Sequence, residues 1–173
     1  MPSSLEQKLK KVRLLFFDVD GTLTDGSLLF DADGRELKAF FARDGSRMTL
    51  ARKAGLKIFF ITSRVTPAIR ARAKERKIEG IIGKEDLPDK SLLPLLLKLG
   101  LSPEESLYLG DDLNDIPFLR QAGVKAAVAD AAAEVQALAD IVTALPGGRG
   151  AAAEIIERVL RAQGLWDKLI ASL

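Results

Sequence analysis

Two aspartates stand where a buried strand ought to stop. In LLFFDVDGTLTDG, residues 14–26, four apolar residues run into Asp18, and Asp20 and Gly21 follow at once. A second acidic group, GDDLND at residues 110–115, closes another apolar stretch and carries Asp111, Asp112 and Asp115. Between them lie Thr62, at the end of KIFFIT, and Lys90, near the start of DKSLLPLLLKLG. Like charges about 4 Å apart repel by roughly 4 kcal/mol at an effective dielectric of about 20, so carboxylates gathered this way need protons or a cation. The chain has no histidine and no cysteine, and an all-oxygen donor set favours Mg²⁺. With Asp18 and Asp111 on one ion, the natural further ligand is a dianion such as a phosphate ester. Thr62 and the backbone amides of the Gly21 turn offer hydrogen bonds to its oxygens. Lys90 offers a mobile positive charge.

These residues need a frame that brings distant segments to one rim. Residues 12–17, 57–62, 80–83, 106–110, 124–129 and 140–143 read as strands, the first as a continuous apolar run covered on both faces. Helical patterns alternate with them, over residues 44–55, 67–77, 89–100, 113–123, 131–139 and 151–162, with Asp44 as an N-cap and Pro94 bending the third. SPEE at residues 102–105 joins a capping box to a proline at the first helical position. Strands separated by helices predict a three-layer α/β/α domain around a Rossmann-like parallel sheet with right-handed crossovers. One piece breaks the alternation: apolar arms around the DADG turn predict a β-hairpin insertion at residues 27–42, directly after the first strand. The whole chain, 1–173, reads as a single domain ending in a helix and tail at 151–173. In open α/β sheets ligands bind beyond the carboxyl ends of the strands, which is where Asp18, Thr62 and Asp111 fall.

Composition narrows the chemistry. At 47% hydrophobic and 29% charged residues the chain is globular rather than disordered. A net charge of +2 and the absence of a long basic run argue against nucleic acid as a partner. The basic stretch at residues 64–77 reads as a solvated helix face. Without histidine or cysteine there is no Ser-His-Asp triad, no thiolate and no disulfide, so acid–base work falls to carboxylates or lysine. No segment has signal-peptide or membrane-spanning character, which predicts a cytoplasmic protein with no membrane partner.

In order and spacing, DVDGT, the strand ending in Thr62, Lys90 and GDDLND resemble the four motifs of the haloacid dehalogenase superfamily. That resemblance implies that Asp18 is a nucleophile that becomes phosphorylated. It makes Asp20 the general acid and base, and Thr62 and Lys90 the phosphoryl-binding pair. Asp18, the carbonyl of Asp20 and Asp111 would hold Mg²⁺, with Asp112 and Asp115 supporting them. Within the superfamily, DGTLTDG, ELKAFFARDG, AVADA and GGRGA are similar to the 3-deoxy-D-manno-octulosonate 8-phosphate phosphatase family. Those proteins are capless and tetrameric, carry a hairpin in place of a cap domain, and close each active site with a neighbouring subunit. The implied partner is a small phosphorylated sugar acid, released as free sugar acid for outer-envelope polysaccharide synthesis. Substrate contacts implied by the family fall on Asp20, Gly21, Ser63, Arg64, Arg72, Lys90 and Arg149. Ser63 departs from the family's usual glycine at that place but leaves Arg64 available to meet a carboxylate as a bidentate partner.

Alternatives remain beside these readings. GGRG is either a plain helix-start loop or a gate delivered to a neighbour. Asp112 and Asp115 fit helix capping as well as metal support. Phe40 and Phe41 read as hairpin packing, while Arg43 and Arg47 are candidates to line the site. The substrate alternative is a nine-carbon keto-sugar acid 9-phosphate. From other classes come a phospho-aspartate receiver domain, whose acidic pair precedes its phosphorylated strand, and a catalytically idle assembly subunit.

Overall fold

The computed structural model describes residues 4–172. Helix α1 (Leu5–Lys11) starts on a capping box in which Ser4 and Gln7 satisfy each other's amides. It leads into β1 (Leu14–Asp18), all five residues of which are buried. After β1 come the hairpin strands β2 (Leu29–Phe30) and β3 (Glu36–Leu37), then α2 (Ala42–Lys53), β4 (Lys57–Thr62) and α3 (Pro67–Arg76). The middle of the chain supplies β5 (Gly80–Gly83), α4 (Leu93–Lys98), β6 (Ser106–Gly110) and α5 (Ile116–Leu119). It ends with β7 (Val124–Ala127), α6 (Ala133–Leu138), β8 (Ile141–Val142), α7 (Ala151–Ala162) and α8 (Trp166–Ala171).

Six strands form one sheet in the order β5-β4-β1-β6-β7-β8, every neighbouring pair parallel. The chain runs outward from β1 through β4 to β5, then crosses back to β6 and runs outward the other way. Right-handed crossovers therefore place helices on both faces, and the direction reverses between β1 and β6. Phe16, Phe17, Ile58, Phe60, Leu107 and Tyr108 are fully buried along the central strands. Each such side chain contributes roughly 1.5–3 kcal/mol by leaving water.

Register delivers the site. Asp18 pairs with Ile61, so Thr62 lies one residue beyond it. Thr62 pairs with Gly83, and Phe17 with Leu109. Asp18, Thr62, Lys84 and Asp111 therefore all emerge at the same rim, on the two sides of β1.

Several boundaries differ from the sequence expectations. Asp44 is not an N-cap: α2 begins at Ala42 with Phe41 as its N-cap, which puts the Asp44 side chain inside the first turn. The helix expected over 89–100 shortens to α4, because Pro88–Lys90 form a separate 3-10 turn in which Asp89 and Lys90 both have φ of 51°. A 3-10 turn at Leu113–Asp115 similarly takes the first residues of the helix expected over 113–123. The hairpin carries only two residues per strand, and Leu28, Leu29, Phe30 and Leu37 on it are all at least half exposed.

Candidate active site

Asp18 ends the central strand with only 4% of its surface exposed. One oxygen each of Asp18, Asp111 and Asp115 lie within 4.8 Å of one another. Burial, then the charge of Asp115, pushes Asp18 well above the usual carboxylate range, with Asp111 adding to the effect and Lys84 opposing it. Asp111 is pushed to about 6, chiefly by burial and then by Asp115, against a hydrogen bond from Thr22. Thr22 Oγ1 donates to Asp111 Oδ1 at 3.2 Å.

The lysine of the site is Lys84. Its Nζ lies 2.7 Å from Asp18 Oδ1, 2.7 Å from Asp115 Oδ1 and 2.8 Å from Asn114 Oδ1, so all three N–H groups are used. Burial alone would lower the Lys84 pKa, but Asp18 and Asp115 outweigh it and hold the ammonium above its ordinary value. Lys90, the lysine expected here, is exposed in its 3-10 turn, and its carbonyl accepts from Gln121 Nε2 at 2.8 Å. The correction follows from register: Lys84 directly follows the strand residue paired with Thr62, whereas Lys90 lies six residues farther along a turn leading away.

Asp115 is fully buried and saturated. Its Oδ1 accepts from Lys84 and from Tyr108 Oη at 2.6 Å, and its Oδ2 from the amides of Asp111 at 2.9 Å and Asp112 at 3.2 Å. Two donors on each oxygen leave it little capacity to bind a metal, so it anchors the GDDLND turn and Lys84. Asp112 caps the turn, accepting from the Leu113 amide at 2.8 Å. Among these three side chains, the metal-binding capacity thus falls to Asp18 and Asp111. Mutual repulsion in a buried all-oxygen set, relieved only in part by Lys84, suits a hard divalent cation.

A cavity of about 360 Å³ opens over this cluster, lined by Asp18, Asp20, Leu28, Thr62, Ser63, Arg64, Asp112 and Asn114. Thr62 is buried, its Oγ1 donating to the carbonyl of Arg64 and accepting from the Arg64 amide, both at 3.2 Å. Ser63 Oγ meets Asn114 Nδ2 at 3.4 Å. Asp20 forms an ion pair with Lys38, and Arg64 Nη2 lies 3.6 Å from its other oxygen.

Gly21, with φ of 94°, has no room for a side chain, since a Cβ would lie 2.0 Å from Asp111 Oδ2. Its amide turns inward to Thr24 Oγ1 at 3.4 Å, so its contribution is the missing side chain rather than the expected phosphate contact. Against the same turn packs the Gly147–Gly150 loop: a Cβ on Gly147 would meet the Gly21 carbonyl at 1.7 Å, and Gly148 N donates to Thr22 O at 3.0 Å.

Three of the candidate arginines fall outside the cavity. Arg72 stacks over the Phe40 ring at 5.2 Å and binds Glu75 at 2.9 Å and the Phe41 carbonyl at 3.3 Å. Within this chain it packs between α3 and the end of the hairpin. Arg149 is exposed on the glycine loop, where its charge adds a small share to the Ser27 hydrogen bonds that favour ionised Asp25. Arg47 pairs with Glu157 at 2.6 Å and faces Trp166 at 5.5 Å, away from the site.

Sequence reasoning missed Lys84, Asn114, Tyr108, Glu36 and Lys38. Lys84 had a signal, its place at the end of a strand, and Asn114 lay within GDDLND. Nothing local marked the other three.

A parallel sheet reversing at β1 and β6, with a buried aspartate cluster at that point, defines a hydrolase of the haloacid dehalogenase-like class. Residues 89–155 match the family model described as haloacid dehalogenase-like hydrolase. Over 161 residues the chain is 37% identical to the 3-deoxy-D-manno-octulosonate 8-phosphate phosphatase of Escherichia coli, covering 93% of this chain and 86% of the relative. The Haemophilus influenzae protein of the same name is 34% identical, with 92% and 89% covered. Among solved structures, that of the Moraxella catarrhalis phosphatase with magnesium ion, phosphate ion and KDO has a TM-score of 0.92 and 36% identity, covering 96% of each chain. The cobalt-bound Haemophilus influenzae structure gives 0.85 and 34%, with 91% of this chain and 92% of that one covered. The chain belongs to the 3-deoxy-D-manno-octulosonate 8-phosphate phosphatase family.

Proposed function

We propose that this chain is a Mg²⁺-dependent phosphomonoesterase that converts 3-deoxy-D-manno-octulosonate 8-phosphate and water into the free sugar acid and phosphate. The observation that carries the reading is Asp18, a buried carboxylate at the end of the central strand. It sits against Asp111 and Lys84 and opens on a cavity that Asp20 and Thr62 also line. Asp18 attacks phosphorus as Asp20 protonates the departing sugar oxygen, which leaves an acyl phosphate on Asp18. Asp20 then takes a proton from water as that water attacks the acyl phosphate, releasing phosphate and restoring Asp18. Lys84 orients Asp18 and favours its ionised form, while Thr62 and Ser63 offer hydroxyls to the phosphoryl oxygens. Arg64, exposed at the cavity mouth, takes the substrate carboxylate. A Mg²⁺ held by Asp18, Asp111 and the Asp20 carbonyl neutralises the carboxylates and polarises the phosphoryl group when bound.

The magnesium, phosphate and KDO found together in a structure 36% identical to this chain support the eight-carbon substrate. Family membership favours a hydrolase over a receiver domain or an idle subunit. The reading extends to a single domain and a cytoplasmic tetramer. Exposed Leu28, Leu29, Phe30 and Leu37 supply an apolar hairpin surface for association, and no helix of the described residues is long and apolar enough to cross a membrane. Light scattering after size exclusion tests the assembly, where a monomer would refute it. Phosphate release should require Mg²⁺, favour the eight-carbon over the nine-carbon ester, and vanish in Asp18→Asn. Turnover retained in that variant would overturn the covalent route, and preference for the nine-carbon ester would overturn the substrate.

A further inference from the structure

The hairpin's second arm sends two charged side chains inward. Lys38, one residue past β3, has a side chain only 1% exposed, although it lies beside a hairpin whose apolar residues face solvent. Its Nζ binds Asp20 Oδ1 and, at 2.7 Å, Glu36 Oε1. Glu36 Oε1 also accepts from Arg64 Nη2 at 3.0 Å, and that same nitrogen lies 3.6 Å from Asp20 Oδ2. Two acids and two bases thus alternate in a closed ring. Immobilising a lysine stem and desolvating its ammonium both oppose this arrangement, and only close, saturated geometry offsets them.

The ring divides into a front and a back. Asp20 and Arg64 line the catalytic cavity, whereas Lys38 lines a separate depression with Phe40, Ala68, Ala71, Arg72 and Glu75. Lys38 therefore reaches Asp20 from behind the cavity wall. The terminal torsion of an aspartate is broad, so a carboxylate tied at neither oxygen swings freely between its two orientations. Proton transfer needs donor and acceptor atoms within about 2.6–3.2 Å.

Accepting the phosphatase reading above, we propose that Lys38, itself held by Glu36, is a positioning residue for the proton transfer made by Asp20. Lys38 ties Oδ1 to the back wall and so holds Oδ2, 3.6 Å from Arg64 Nη2, on the cavity side. As the phosphorus–oxygen bond breaks, the proton on Oδ2 passes to the departing oxygen. Because Lys38 and Glu36 both belong to the hairpin's second arm, the seating of the hairpin is transmitted to the acid.

The test compares two esters in wild type, Lys38→Met and Lys38→Arg, all with Mg²⁺. p-Nitrophenyl phosphate loses a stable phenolate that needs no proton, whereas a neutral-sugar alkyl phosphate, which likewise has no carboxylate for Arg64, loses an alkoxide that does. The constant kcat/KM covers the steps up to leaving-group departure, so the ratio of its two values reads proton delivery and cancels general loss of active protein. In Lys38→Met the ratio of alkyl to p-nitrophenyl ester should fall by about 100-fold, the lower end of what a positioned acid contributes. Lys38→Arg should recover most of that ratio. If Lys38→Met does not fold, Glu36→Gln, which loosens the anchor, should lower the ratio in the same direction by a smaller factor. Equal losses on both esters, or an unchanged ratio in whichever variant folds, overturn the proposal while leaving the phosphatase reading intact. Wild-type protein inert on both esters overturns the two together.

Discussion

Asp44 offers a test of the fold that does not touch the catalytic cluster. It is the third residue of α2, 2% exposed, and its Oδ1 accepts from the amide of Ala153 in the first turn of α7 at 2.8 Å. Its Oδ2 has no partner. Burial raises its pKa from 3.8 to about 6, against the Ala153 amide and the fields of Arg72 and Arg43. Because the folded value lies above the unfolded one, the folded state holds the proton more tightly. That stabilising contribution is complete below about pH 3.8 and is lost as pH rises through about 6. The full gap corresponds to about 3 kcal/mol, of which about 2 kcal/mol falls between pH 4.5 and 7.5. Asp44→Asn keeps the shape and the acceptor for Ala153 but cannot ionise. Urea unfolding of both proteins at several pH values gives a difference curve in which all shared titrations, those of Asp18 and Asp111 included, cancel. The variant should gain about 2 kcal/mol relative to wild type from pH 4.5 to 7.5, whatever its offset at the acid end. Parallel curves would refute the account of Asp44 as a buried charge only partly compensated.

Three further outcomes follow from the site. Lys84→Met strands Asp18 and Asp115 without their shared cation, so kcat should fall at least about 100-fold and Mg²⁺ should raise the melting temperature of the variant more than that of wild type; kinetics and thermal melts check both. Gly21→Ala places a Cβ on Asp111, so calorimetry should show Mg²⁺ affinity reduced about tenfold or more while the far-ultraviolet spectrum is unchanged, because the metal set moves and the sheet does not. Asp18 and Asp111 both hold protons above the usual carboxylate range, and those protons must leave for a cation to bind. Mg²⁺ affinity should therefore weaken as pH falls through about 6, and equal affinity at pH 5.5 and 7.5 by titration calorimetry would contradict it.

The sheet was legible because its strands are buried on both faces, and continuous apolar runs such as residues 14–17 and 58–61 have few other uses in a chain of this length. Parallel pairing then converts a strand's last residue into a rim position, which is why Asp18, Thr62 and Asp111 could be placed together from spacing. The same rule, applied to β5, selects Lys84. Lys90 stands out in the sequence through a helix start that the structure does not have, since Pro88 and the left-handed Asp89 and Lys90 stop it. Local propensity set against strand geometry was the weaker guide here, because a short helix after a turn draws its stability from packing that no local window contains.

The parts that stayed illegible share one property: their meaning depends on a partner far away in sequence. Tyr108 looks like any core aromatic until its hydroxyl is found on Asp115, and Arg72 looks like one more charge on a solvated helix until Phe40 and Phe41 arrive from the hairpin. Glu36 and Lys38 follow the alternation of a strand, yet the strand is two residues long and the chain turns both of them toward Asp20 and Arg64. A charged residue on a short hairpin has two stable fates, solvent or an opposite charge, and sequence pattern favours the first. The closed ring around Asp20 realises the second, so the insertion that interrupts the α/β alternation also braces the cavity wall at Asp20 and Arg64.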